Sequence, residues 1–491
     1  MKFLTLATSA AAAAMLAACG GGGDTTDGPS FDLSGAPGSL MATPSTVIQL
    51  TPDDFVNRAK AAKAESLFQV TELPKCTITF NYFQYGTVGG KGEPTAASAG
   101  LMVPSGANPA CTGPRPVLLY AHGTTTDKQK NMASPIKSKK LPTDPDVPDE
   151  EVFLIAAMYA AQGYIVVAPN YAGYDSSTLG YHPYLNMEQQ AKDMMDGLTA
   201  ARKGFAAVGA VASSKLFVTG YSQGGFVSMA TQRALQLAGT PVTAGAHLSG
   251  PYALGAFGDA VYAGNVNLGA TVFSPLLTTG FQRTYGNIYT TPSDMYEPAF
   301  ATGIETLLPT NLAQNDLFTQ GKLPPAFMFE GTAPAPQFAP FFGTPNLVKT
   351  SYRNAVVADV VANPTAPKHP LRVAAQKNDL LQQNWTPAQP MLLCGGNADP
   401  AVFFALNTQG AQAYFASKGV PAQAVTVLDV DSTAAGDTDP FKPVKDGFAA
   451  SKAATIAAAG ANAASAVAQA YHGGLVPPFC NAAARGYFSQ F

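Results

Sequence analysis

Charge is scarce in this chain. Acidic and basic side chains make up 12% of 491 residues and the formal net charge is −3, so the charged share is about half the usual one. There is no basic run, and the pI is near 6; the electrostatic footprint of a nucleic-acid-binding protein is missing. A P-loop, a dinucleotide fingerprint and a spaced cluster of metal ligands are also missing, and the sequence points to no cofactor and no metal. No repeat period is present. Beyond the first segment, no apolar run is long enough to span a membrane. Cysteines are few: Cys19, Cys76, Cys111, Cys394 and Cys480.

What is present begins with an export signal. Met1-Lys2 followed by an Ala/Leu/Met-rich run to Ala18 has the charged start and short apolar core of a secretory peptide. Leu16-Ala17-Ala18-Cys19-Gly20 resembles the bacterial lipobox, which implies cleavage before Cys19 and lipidation of that residue. Acyl chains there would hold the protein at a membrane surface, with the outer membrane of the bacterial envelope as the expected place. An ordinary cleaved signal, leaving a secreted protein, is the alternative. Residues 19–45, opening with Gly20–Gly23, read as a flexible tether. Export permits disulfides, and four cysteines remain after Cys19. They allow three pairings; Cys76–Cys111, within one N-terminal region, and Cys394–Cys480, tying two C-terminal loops, are favoured over free thiols.

The chain is organised around Lys215–Gly239. A short apolar strand, Leu216–Thr219, runs into Gly220-Tyr221-Ser222-Gln223-Gly224-Gly225 and then into a helical pattern with Phe226, Met229, Ala230 and Leu235. That is the strand, sharp turn and helix of a nucleophile elbow, in which G-x-S-x-G lifts a serine above the carboxyl edge of a parallel sheet. Ser222 is the candidate nucleophile. The strained backbone it needs leaves no room for side chains two residues away on either side.

Other elements fall into order around it. Thr51-Pro52-Asp53-Asp54 starts a helix. Thr77–Phe83 and Ala96–Val103 read as antiparallel strands, and Pro116–Tyr120, Tyr164–Ala168, Ala244–Ser249, Met391–Cys394 and Val425–Val430 as further strands. Helices over Pro148–Gln162, Leu185–Lys203, Val402–Ser417 and Ala449–Ala470 alternate with them, so the expectation is a mostly parallel, doubly wound α/β sheet. Between Pro251 and Pro390 the alternation stops, and the stretch is rich in Pro, Phe and Tyr. It reads as a cap over the site, its aromatics lining an apolar pocket or, for any one of them, forming the cap's own core. The expected division is therefore a signal peptide (1–18), a tether (19–45), two core parts (46–250 and 391–491) and a cap or lid (251–390).

A serine needs a base, and the base needs an acid to fix its tautomer. With the order Ser, Asp, His that follows such an elbow, only His472 among His122, His182, His247, His369 and His472 comes after both Ser222 and the last strand. Asp399, just past the strand Met391–Cys394, is the expected acid. Asp429 and Asp431 read as strand-end charges, and Asp437, Asp439 and Asp446 as charges of a polar loop. The turn Ala121-His122-Gly123-Thr124 ends a strand and supplies one oxyanion donor, taken to be the N–H of Thr124 in preference to Gly123; the other is the N–H of Gln223. His122 is taken as a brace for the turn.

From about Cys76 to the C-terminus these stretches resemble the α/β-hydrolase superfamily. Within it, GYSQGG, the long insertion, GGNADP and the late histidine are similar to secreted bacterial esterases and to the secretory lipases. The resemblance implies the α/β-hydrolase fold and a serine esterase or lipase that cleaves carboxylic esters through an acyl-enzyme. A small-molecule, lipid or polymer ester is the implied substrate. The HGT turn and the long Ala-rich connection before His472 depart from the lipase pattern. A serine peptidase or amidase with the same triad, and a non-catalytic surface-binding relative, are the rival readings.

Overall fold

In the computed structural model, which describes residues 35–137 and 146–491, the apolar runs become the strands of one sheet. They are β1 (Ser45–Leu50), β2 (Thr77–Val88), β3 (Pro94–Ser105), β4 (Arg115–Ala121), β5 (Ile165–Pro169), β6 (Ala212–Tyr221), β7 (Ala244–Leu248), β8 (Met391–Gly395) and β9 (Val425–Asp429). Their spatial order is β1-β2-β3-β5-β4-β6-β7-β8-β9. The first three are antiparallel, and β3 meets β5 antiparallel. From β5 to β9 every pair is parallel. This is the α/β-hydrolase fold.

The inner parallel strands β5, β7 and β8 are buried on both faces, which is why they read as unbroken apolar runs. Alternate residues go to opposite cores: Val117, Leu119, Ile165, Val167 and Val218 to one, and Leu118, Tyr120, Val166, Ala168 and Phe217 to the other. Helix α1 (Pro52–Ala61) starts on a capping box between Thr51 and Asp54, as the sequence predicts. Next come α2 (Glu150–Met158), α3 (Met187–Gly204) and α4 (Gln223–Leu237). The second core includes α2, and the first α3 and α4.

After Leu248 the chain leaves the sheet and returns at Met391. The intervening residues carry helices, among them α5 (Leu254–Ala263), α6 (Ala270–Tyr285), α7 (Thr350–Ala362) and α8 (Pro370–Lys377). Their apolar residues join the first core, and Ser34–Phe491 forms one compact unit. Arg372 of α8 is buried between Asp259 of α5 (2.7 Å) and Asp359 of α7 (2.6 Å). The three helices are thereby tied by one fully paired guanidinium. Among the insertion's aromatics, Tyr289, Tyr296, Phe329 and Phe342 are buried in that core. They are the insertion's own packing.

Past β8 lie α9 (Gly410–Ser417), α10 (Lys442–Ala459), α11 (Ala463–Ala470) and α12 (Val476–Phe488). The Ala-rich stretch expected as one helix is two, because the chain turns at Gly460, whose φ of +54° suits a residue without a Cβ. Asp446, expected in a loop, lies on α10 and pairs with Lys442. Both favoured disulfides are present, Cys76–Cys111 and Cys394–Cys480. The second ties β8 to α12.

Cys19 and the signal segment lie outside the described residues. The predicted tether ends early. Gly38 donates its N–H to Gly86 O (2.9 Å) and Met41 to Gln84 O (3.0 Å), so the chain is docked along β2 before β1 begins. Pairing of this kind uses backbone groups and leaves no apolar period to read. Among the described residues no helix is long and apolar enough to cross a membrane.

Candidate active site

The carboxyl ends of the parallel strands meet the helices at the turn between β6 and α4. Ser222 sits there with φ +59° and ψ −121°, a region that costs of order 1–3 kcal/mol for a residue with a side chain. Its N–H donates to Leu248 O and its carbonyl accepts from Gly225 N–H, each at 2.9 Å, which holds the turn. At Gly224 an added Cβ would come within 2.0 Å of Ala121 O. Glycine is thus required there by the neighbouring strand, as the elbow motif implies.

His472 reaches the serine from the turn Tyr471–Leu475 between α11 and α12. Its Nε2 lies 2.8 Å from Ser222 Oγ and its Nδ1 lies 2.6 Å from Asp399 Oδ2. Asp399 is buried just past β8, and its Oδ1 accepts the N–H groups of Ala401 (2.9 Å) and Val402 (3.0 Å). With both oxygens engaged, the carboxylate must take the Nδ1 proton of His472, and Nε2 is left as an acceptor for the serine hydroxyl. Among the described residues, none of the other four histidines bonds to Ser222 or Asp399. His122 is buried and donates from Nδ1 to Gly123 O (2.7 Å), while His247 of β7 packs against Ser228 and Gln232 of α4.

Several supports for His472 were not legible in the sequence. Tyr221 donates its hydroxyl to His472 O at 2.6 Å. Tyr471 donates to Asp431 Oδ2 (2.7 Å) and accepts from Ala398 N–H (3.2 Å), and Lys452 of α10 grips both oxygens of Asp431. Asp431, expected to be a strand-end charge, therefore links the histidine turn to the loop carrying Asp399. Its sequence signal, an acid after a strand, is shared by Asp429, which instead holds Asn397.

The HGT turn lies beside the serine. Gly123 donates its N–H to Glu151 Oε1 at 2.7 Å, whereas the N–H of Thr124 has no acceptor among the described residues. Glu151 also accepts from Tyr120 (3.0 Å) and pairs with Lys130 (3.2 Å), which in turn grips Asp149. Burial works against the Lys130 ammonium, but Glu151 and Asp149 outweigh it and hold its pKa above the ordinary lysine value. In sequence Glu151 reads only as a first-turn acid of α2. The N–H of Gln223 is the first of α4 and has no intrahelical acceptor.

Two cavities meet at Ser222. One is a broad groove of about 1150 Å³ bordered by Thr124, Glu151, His472 and the α10 face of Val444, Gly447 and Ser451. The other is a small apolar cavity of about 110 Å³ beneath the insertion, lined by Leu254, Tyr262, Phe273, Leu277 and Met328. The aromatics of the insertion that reach this lining are Phe257, Tyr262 and Phe273. Among the described residues no group of three or more His, Cys, Asp or Glu is disposed to hold a metal ion.

Residues 151–237 match the model of the prolyl oligopeptidase family. Comparison with curated proteins gives no match. Among solved structures, the chain is similar to the ligand-bound rice cell wall degrading esterase LipA from Xanthomonas oryzae, with 27% identity and a TM-score of 0.69 over 92% of this chain and 98% of that one. Candida antarctica lipase A shares the fold at 14% identity and a TM-score of 0.50, over 81% of this chain and 78% of the lipase. Fold and comparisons together support an α/β-hydrolase, similar along nearly its whole length to an esterase.

Proposed function

We propose that the chain hydrolyses carboxylic esters through an acyl-enzyme on Ser222. The observation that carries this reading is the unbroken hydrogen-bond line from Asp399 through His472 to Ser222. His472 Nε2 takes the hydroxyl proton as Ser222 Oγ attacks the ester carbonyl carbon. The negative charge that develops on the carbonyl oxygen is held by the N–H groups of Gln223 and Thr124, each such donor being worth about 3 kcal/mol. His472 then returns the proton to the departing alcohol, and a water molecule, activated by the same base, releases the acid. Asp399 keeps the imidazole in the required tautomer throughout.

The unequal cavities suit an ester with a compact apolar acyl group under the insertion and a bulkier alcohol in the groove. The named substrate of LipA, a plant cell wall, is consistent with a bulky alcohol. The match to a peptidase family favours amides as a second reading. That match spans β5, the elbow and α4 and stops before Asp399 and His472, so it covers features that esterases share. Turnover of p-nitrophenyl esters should exceed that of peptide anilides by orders of magnitude in kcat/KM. Comparable rates on both would replace the esterase reading with an amidase one.

The N-terminal segment supports a second proposal, about location. We propose that the chain is exported and anchored through a lipidated Cys19. Cells supplied with labelled palmitate should incorporate label into the wild-type protein and not into Cys19→Ser. Equal labelling of both would put the acyl group on a residue other than Cys19, and labelling of neither would leave a secreted protein.

A further inference from the structure

The two N–H donors of the proposed oxyanion hole lie on different segments, and one buried imidazole touches Gln223 directly and reaches the Thr124 turn through tyrosines. His182 is 2% exposed. Its Nδ1 donates to Ala172 O at 2.8 Å, which fixes the tautomer and leaves Nε2 as an acceptor. That acceptor is met by the side-chain amide of Gln223 at 2.7 Å. Gln223 is itself buried, and its Oε1 has no partner among the described residues. The His182 contact is therefore what orients the Gln223 side chain at the head of α4.

On the other side, three tyrosines pack around the same ring and hold the HGT turn. Tyr171 and Tyr174 lie 5.6 and 4.7 Å from His182, ring centre to ring centre, and Tyr184 lies 6.0 Å away. Tyr171 donates to His122 O (3.0 Å), Tyr174 donates to Thr125 O (2.7 Å), and Tyr184 shares a hydrogen bond with Thr124 Oγ1 (2.8 Å). With Gly123 N–H held by Glu151, polar groups on both sides of the Thr124 N–H are engaged.

We propose that His182 is a positioning residue for the oxyanion hole, an imidazole that fixes Gln223 directly and the Thr124 turn through its ring of tyrosines. This rests on the esterase reading above. Burial pushes the His182 pKa down to about 3, so the ring is neutral near pH 7. It acts by geometry and not as a second base. Donor placement matters because stabilisation of the oxyanion falls steeply when an N–H moves off the oxygen.

The test uses three variants, with rates expressed per active site titrated by a fluorophosphonate. His182→Leu removes the acceptor, and Gln223→Met removes the amide while leaving the His182–Ala172 bond. Each should lower kcat roughly 10- to 100-fold with KM within about twofold. The affinity of an alkyl boronic acid, whose tetrahedral adduct puts an oxygen in the hole, should fall in parallel, and the pH midpoint of kcat should not move. His182→Asn, which can still accept from Gln223, should recover part of the loss. The double variant should be no slower than the worse single one, since both act through one contact. If His182→Leu fails to fold, Gln223→Met alone decides. Normal kcat per titrated site and normal boronate affinity, with only the melting temperature lowered, would make His182 a packing residue and overturn the proposal. Ser222→Ala separates the two levels: it loses turnover if only the His182 inference is wrong, and keeps it if the site itself is misread.

Discussion

His472→Ala is expected to lower kcat on a simple ester by about 10⁴-fold or more while KM changes little. Without an acceptor near its hydroxyl, Ser222 must surrender a proton to water, and the leaving alcohol has no donor. The fold should survive. His472 occupies a turn whose neighbours Tyr471, Leu475 and Val476 are buried, and Tyr221 holds the backbone carbonyl of position 472 whatever its side chain. Circular dichroism and the melting temperature check the fold, and active-site-normalised kinetics check the rate. A folded variant with more than about a tenth of wild-type kcat would require a different base, since one positioned base is worth at least 10².

Asp399→Asn should be nearly as damaging, at about 10⁴-fold in kcat, and for a subtler reason. Asp399 Oδ1 accepts two backbone N–H groups, from Ala401 and Val402. An asparagine must keep its carbonyl oxygen there, which turns its NH₂ group toward His472 Nδ1. Two donors cannot face each other at 2.6 Å, so the imidazole adopts the tautomer protonated on Nε2. That proton then points at Ser222, and the base is occupied before the reaction starts. Asp399→Ala leaves the two N–H groups unpaired in a buried loop and should also destabilise, by about 1–3 kcal/mol. A normal kcat for folded Asp399→Asn would mean that tautomer control is not how this acid acts.

Much of the site was legible because its signals are local. The elbow has no room for a Cβ at position 224, so glycine appears in the sequence where the turn demands it. Asp399 directly follows a strand, and a strand end is visible in an apolar run. His472 follows from chain order, because every other histidine precedes the last strand. The bond from Gly123 N–H to Glu151 was not legible, because nothing in the sequence distinguishes Glu151 from an ordinary first-turn acid.

What could not be read depends on distance in space. Asp431 and Asp429 are two residues apart and chemically alike, yet one holds Tyr471 and the other Asn397. The small cavity is lined by ordinary inward faces of α5 and α6, such as Leu254, Phe273 and Leu277. Such faces carry the same periodicity whether they meet a ligand or a core. The insertion's aromatics divide: Phe257, Tyr262 and Phe273 line the cavity, while Tyr289, Tyr296, Phe329 and Phe342 pack in the core, the commoner fate of a large apolar side chain. The docking of Gly38 and Met41 on β2 left no trace either, since backbone pairing does not require a particular side chain.

The central claim is that Ser222, activated by His472 and Asp399, carries the acyl group. The most direct measurement is peptide mapping by mass spectrometry after reaction with a fluorophosphonate. The account predicts one adduct, on Ser222, forming with loss of esterase activity and absent from Ser222→Ala. An adduct on another residue with Ser222 unmodified, or full ester turnover by Ser222→Ala, would contradict it.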